Sequence, residues 1–106
     1  MIEIKKEQSG TELTISLKGV LDTPAKPALE EALEDCYTGL SRLTFDFGEL
    51  EYITSAGIRV LLKAQNAMDK LKGEMILIHV SKDIMEVFDL TGFSDVLDIR
   101  ESGLQE

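Results

Sequence analysis

Cysteine and histidine each occur once in this sequence, tryptophan is absent, prolines number two, and no long apolar run is present. A lone cysteine, Cys36, has no partner for an internal disulfide, which fits a reducing cytoplasm. No stretch approaches the roughly 18 apolar residues of a membrane span. The N-terminal MIEIKKEQSG alternates apolar with polar residues and has no apolar h-region, so neither a signal peptide nor an anchor is expected. Positive charge is also scarce: eleven Lys and Arg against twenty Asp and Glu give a net charge of −9, which repels nucleic-acid phosphates and anionic membrane surfaces. The expectation is a cytoplasmic protein with no nucleic-acid partner and no membrane insertion.

The groups that catalysis needs are equally thin. His79 lies within the apolar segment EMILIHV and reads as a structural or edge-facing histidine, with no partner beside it in sequence. TSAG is not the G-x-S-x-G elbow of hydrolases, because Ile53 stands where that motif has glycine. Neither G-x-x-x-x-G-K-[ST] nor G-x-G-x-x-G occurs, so nucleotide binding has no motif behind it. The carboxylates of FDFGELE and DLTGFSDVLD do not follow calcium-loop spacing, and Cys36 reads as a small core residue. No catalytic residue, metal or cofactor is expected.

What is present is a regular alternation of strand and helix patterns. At 106 residues, 43% of them hydrophobic, the chain suits one domain with one core. IEIKKE and TELTISLKG read as a hairpin turning at Ser9-Gly10, with Leu13, Ile15 and Leu17 facing inward. Asp22-Thr23-Pro24 opens a helix that runs to about Tyr37 and stops at Gly39, Thr23 capping it, although Pro27 allows a later start. RLTFDFG is a short strand with Leu43, Phe45 and Phe47 on one face. Gly57, Leu61, Ala64, Met68 and Leu71 then recur at helical spacing up to a stop at Gly73. EMILIHV reads as a strand covered on both faces, SKDIMEVFDLTGF as a helix capped by Ser81 and ended by Gly92, and VLDIR as a last strand before the polar tail ESGLQE. The order implies a single α/β domain spanning residues 1–106, a mixed β-sheet with interleaved α-helices.

One stretch stands apart from this pattern. Thr54 and Ser55 precede the small pair Ala56-Gly57 where the second helix begins. Either hydroxyl suits a helix cap, accepting a bond from an unpaired backbone N–H. The same position also suits a phosphoryl group, since free N–H groups and the helix dipole favour negative charge there. Gly57 either admits a partner closely or lets the helix pack on the sheet. Arg59, one turn on, either reaches solvent near Ser55 or simply belongs to a solvated face.

VLD at 20–22, FDFGELEYITSAGIRVLLKA at 45–64 and the late VFDLTGF together resemble the STAS domain of bacterial anti-sigma factor antagonists, in register over nearly the whole chain. The resemblance implies a non-enzymatic module that binds an anti-sigma factor serine kinase and so frees a sigma factor for transcription. Phosphorylation of Ser55 by that kinase would end binding, and a serine phosphatase would restore it. Asp22 matches the family's acidic residue beside the acceptor, and Gly57 the glycine two residues after it. Where the family often has aspartate before the serine this chain has Thr54, and where many members have a second hydroxyl it has Ala56. The implied partner surface comprises Asp22, Thr23, Thr54, Ser55, Ala56, Gly57 and Arg59. Two other classes compete: an unphosphorylated STAS regulatory subunit of a larger signalling or transport assembly, and a small enzyme or nucleotide-binding protein.

Overall fold

The computed structural model describes residues 2–34 and 37–100; Cys36, read above as a core residue, and the polar tail lie outside them. Alternation in the first two segments becomes a hairpin, β1 (Ile2–Ser9) antiparallel to β2 (Glu12–Leu21). Ser9 pairs with Glu12, so the loop is Gly10-Thr11, one residue later than expected. Gly10 has φ +61°, the positive value that the first central position of a two-residue hairpin loop requires.

From β2 onward the chain repeats a single step. Helix α1 (Lys26–Leu33) leads to β3 (Arg42–Ile53), α2 (Ser55–Lys70) to β4 (Glu74–Ile78), and α3 (Lys82–Thr91), followed by a 3-10 turn at Phe93–Asp95, to β5 (Asp98–Arg100). Strands β2 to β5 pair in parallel in chain order, completing a five-stranded mixed sheet. Right-handed crossovers that all step the same way place their helices on one face. That face carries Leu13, Ile15 and Leu17, then Leu43, Phe45 and Phe47, then Met75 and Leu77, all in one buried cluster with Leu29, Leu33, Leu61, Ala64, Met68, Ile84 and Phe88. Phe47 joins Phe45 to Phe88 of α3, at centroid distances of 6.4 and 6.5 Å. On the other face Thr44 and Ile76, side by side in the β3–β4 register, are also buried, so β4 is covered on both sides as its continuous apolar run implies.

Further details differ from the sequence reading, the last strand among them, since β5 holds only the Asp98–Arg100 part of VLDIR. Helix α1 begins at Lys26 and ends at Leu33, and Thr23 does not cap it. Instead the Asp22 main-chain oxygen and Oδ1 both accept from the Ala25 N–H, each at 3.1 Å, folding Thr23-Pro24 into a turn. Pro27 then occupies the first helical turn, where its missing N–H leaves no bond unmade, and Gly39 lies in a later turn at φ +72°. Strand β3 continues past Gly48 to Ile53 through two register shifts against β2: Ser16 pairs with Asp46 but Lys18 with Glu49, and Gly19 with Leu50 but Val20 with Tyr52. Each adds a residue to β3 and breaks the period of two that would have marked a strand. Leu71 is the exposed C-cap of α2, whereas Ile58 and Val60 are buried. His79 follows β4 instead of lying in it. It has φ +56°, and its Nδ1–H donates to Asp46 Oδ1 at 2.9 Å, where the same oxygen accepts the Gly48 N–H at the first register shift.

The N-terminal ends of the parallel strands are tied through Ser41, whose N–H donates to the Thr11 carbonyl (2.7 Å) and whose carbonyl accepts from the Glu74 N–H (2.9 Å). Lys72, at φ +60°, takes the left-handed position that ends α2 here, where a glycine stop was expected at Gly73, and the Gly73 N–H after it donates to the Met68 carbonyl at 2.9 Å. A Cβ on Gly73 would lie 2.7 Å from Met68 Cε and 2.8 Å from the Ser41 carbonyl oxygen, so backbone would have to move. Gly73→Ala is expected to lower stability by about 1–3 kcal/mol. Thermal denaturation checks this, and an unchanged midpoint would show that the strand ends are not held as described.

Candidate functional site

At the opposite, carboxyl-terminal ends of β2 and β3, the Leu21 carbonyl accepts the Thr54 N–H at 3.0 Å and Thr54 Oγ1 at 3.5 Å. That junction sets Asp22 and Ser55 one residue to either side of a shared backbone bond. Sequence reasoning had no means of finding Leu21, because the group that matters is a main-chain carbonyl, which every residue carries.

Thr54 occupies the N-cap of α2 with extended backbone angles (φ −109°, ψ 175°), yet its side chain makes no capping bond; the hydroxyl is turned to Leu21. Capping therefore does not explain the pair of hydroxyls. Ser81 at the start of α3 shows the contrast, its Oγ accepting from the Ile84 N–H at 3.2 Å. Of the two hydroxyls before Ala56, Thr54 is half-buried and engaged, while Ser55 is exposed as the first residue of α2. The first turn of α2 carries no carboxylate, so its positive end is not neutralised by the helix's own residues.

Gly57 is buried, and its small size is used inward. A Cβ there would lie 2.6 Å from Leu21 Cγ, 2.9 Å from Ile53 Cγ1 and 2.9 Å from the Leu21 carbonyl oxygen. Packing of the helix start on the ends of β2 and β3 is the use this glycine serves; Gly57 lies beneath the surface formed by its neighbours. Gly57→Ala should displace the Ser55 turn and destabilise the fold by about 1–3 kcal/mol. Amide exchange over residues 53–58 together with a melting curve would register both effects, and a variant matching the parent in both would show that α2 is not seated on Leu21.

The remaining residues are arranged around that seat. Asp22 and Ala56 are half-buried, and Thr23 and Arg59 are exposed. Asp22 uses Oδ1 to hold its own turn, so its loop has a fixed shape beside the helix start. His79 and Asp46 lie elsewhere, bound to each other and to the β3 register shift. Among the described residues no three His, Cys, Asp or Glu side chains are placed to hold a metal, and no helix is long and apolar enough to cross a membrane.

The result is a small α/β domain that exposes Ser55 at the start of α2, seated on the end of β2 beside the Asp22 turn. The chain belongs to the STAS domain family, whose model matches residues 3–103. It is 31% identical over 101 residues to the anti-sigma-B factor antagonist of Listeria monocytogenes, an alignment covering 93% of this chain and 87% of that one. Its fold is shared with an anti-sigma factor antagonist from Mycobacterium paratuberculosis (TM-score 0.81, 20% identity, 97% of this chain and 88% of that one). It is shared too with the Bacillus cell fate determinant SpoIIAA in its phosphorylated form (TM-score 0.73, 19% identity, 93% and 92%).

Proposed function

We propose that this chain is an anti-sigma factor antagonist, binding an anti-sigma factor that is also a serine kinase and losing that partner once Ser55 is phosphorylated. The observation that carries this reading is the division of labour between the two hydroxyls: Thr54 is turned to the Leu21 carbonyl, and Ser55 is exposed at the helix start beside the Asp22 loop. Asp22, Thr23, Thr54, Ser55, Ala56 and Arg59 form the partner-facing surface, and Gly57 sets its height from below. The names of the curated relatives and the phosphorylated form of SpoIIAA support the reading.

Chemically the chain supplies an acceptor and its presentation. The Ser55 oxygen attacks the γ-phosphorus of ATP on the kinase, its proton passes to a base of the kinase, and ADP leaves. A serine phosphatase directs water onto the same phosphorus, returning the proton to Ser55 Oγ and releasing inorganic phosphate. Neither step takes a catalytic group from this chain, so its role is recognition without enzyme activity. Calorimetric titration with the anti-sigma kinases of its own genome tests the partner. Saturable binding to one of them is expected, and no binding to any would overturn the proposal.

A further inference from the structure

Building on Ser55 as the acceptor, we propose that Arg59 grips the phosphoryl group within this chain, so that the modified helix start is closed by its own arginine. The arginines are Arg42, Arg59 and Arg100. Arg42 lies 3.4 Å from Glu74, and Arg100 lies 3.0 Å from Asp98 and 3.7 Å from Glu74. Arg59 is exposed and makes no ion pair or hydrogen bond among the described residues, although carboxylates greatly outnumber cations in the chain. The next cation along α2, Lys63, lies 3.6 Å from Glu30. One turn separates Arg59 from Ser55, and residues four apart on a helix place their Cβ atoms about 5–6 Å from each other on one face.

A phosphoseryl side chain at residue 55 therefore falls within the span of the guanidinium, whose planar fork of donors matches phosphate oxygens two at a time. With no carboxylate in the first turn to occupy Arg59 and no side-chain cap over the N–H groups, the group would be held from two directions. In the unmodified protein the same arginine is free to meet a partner. Modification withdraws it, so phosphorylation both adds negative charge and removes a cation from the docking surface. A phosphatase must in turn displace the guanidinium to reach phosphorus.

The test installs phosphoserine at residue 55 during translation, independently of any kinase, in the parent and in Arg59→Ala and Arg59→Lys. Titration followed by phosphorus-31 NMR should place the second ionisation of the parent lower than that of Arg59→Ala by about 0.3 of a pH unit or more, with Arg59→Lys between them. The Arg59 Nε–H resonance should move with the same titration. Coincident curves for parent and Arg59→Ala, or an Nε–H signal indifferent to the phosphate, would overturn the grip and leave Ser55 as acceptor untouched. A kinase that modifies another residue would remove the acceptor without altering these curves.

Discussion

Leu61→Asp is expected to yield no cooperatively folded protein. Leu61 is fully buried in the cluster that joins α2 to the sheet. Removing a buried leucine side chain costs about 2–5 kcal/mol, and an unpaired carboxylate in apolar surroundings adds several more. The total reaches the whole stability of a small domain, about 5–15 kcal/mol. Asn66→Asp, on the exposed side of the same helix, is the control and should stay within about 0.5 kcal/mol of the parent. Circular dichroism melts of the two variants decide the matter, and a parent-like transition for Leu61→Asp would mean that the helix buries a different face.

Ser55→Glu is expected to weaken the complex with the kinase by about 1–3 kcal/mol, the scale of losing one interface hot spot. The free protein should hardly change, since a negative charge at the first residue of α2 meets the favourable end of the helix dipole. At the interface the charge stands beside the half-buried Asp22 loop, where a desolvated like charge opposes docking. Amide resonances of the variant should move near residues 52–60 and around Asp22 only. Shifts across the sheet would replace surface blocking with a change of conformation, and undiminished affinity would remove Ser55 from the contact.

Much of this architecture was legible because its signals are local. Alternation gave the hairpin, Ser81 and Gly92 bounded α3 where they were expected, and α2 reached its C-cap at Leu71, two residues before Gly73, although Lys72 takes the left-handed turn. The misreadings arise where a tertiary or side-chain bond overrides the local pattern. Asp22 captures the Ala25 N–H and delays α1. Asp46 satisfies the Gly48 N–H, and β3 runs on beyond the short RLTFDFG strand through two register shifts. At the site, the spacing of Thr54, Ser55 and Gly57 located the helix start. It could not tell that Thr54 turns away to Leu21, because that choice depends on a carbonyl 33 residues earlier.

The central claim is that Ser55, and not its neighbour, is where a kinase switches this protein. Its most direct test is to incubate the parent, Ser55→Ala and Thr54→Ala with ATP and the anti-sigma kinase that binds the protein, then map phosphate by peptide mass spectrometry. The account predicts one phosphate per chain on Ser55 in the parent and in Thr54→Ala, and none in Ser55→Ala, which should still melt within about 1 kcal/mol of the parent. Phosphate on Thr54, or undiminished incorporation into Ser55→Ala, would contradict it.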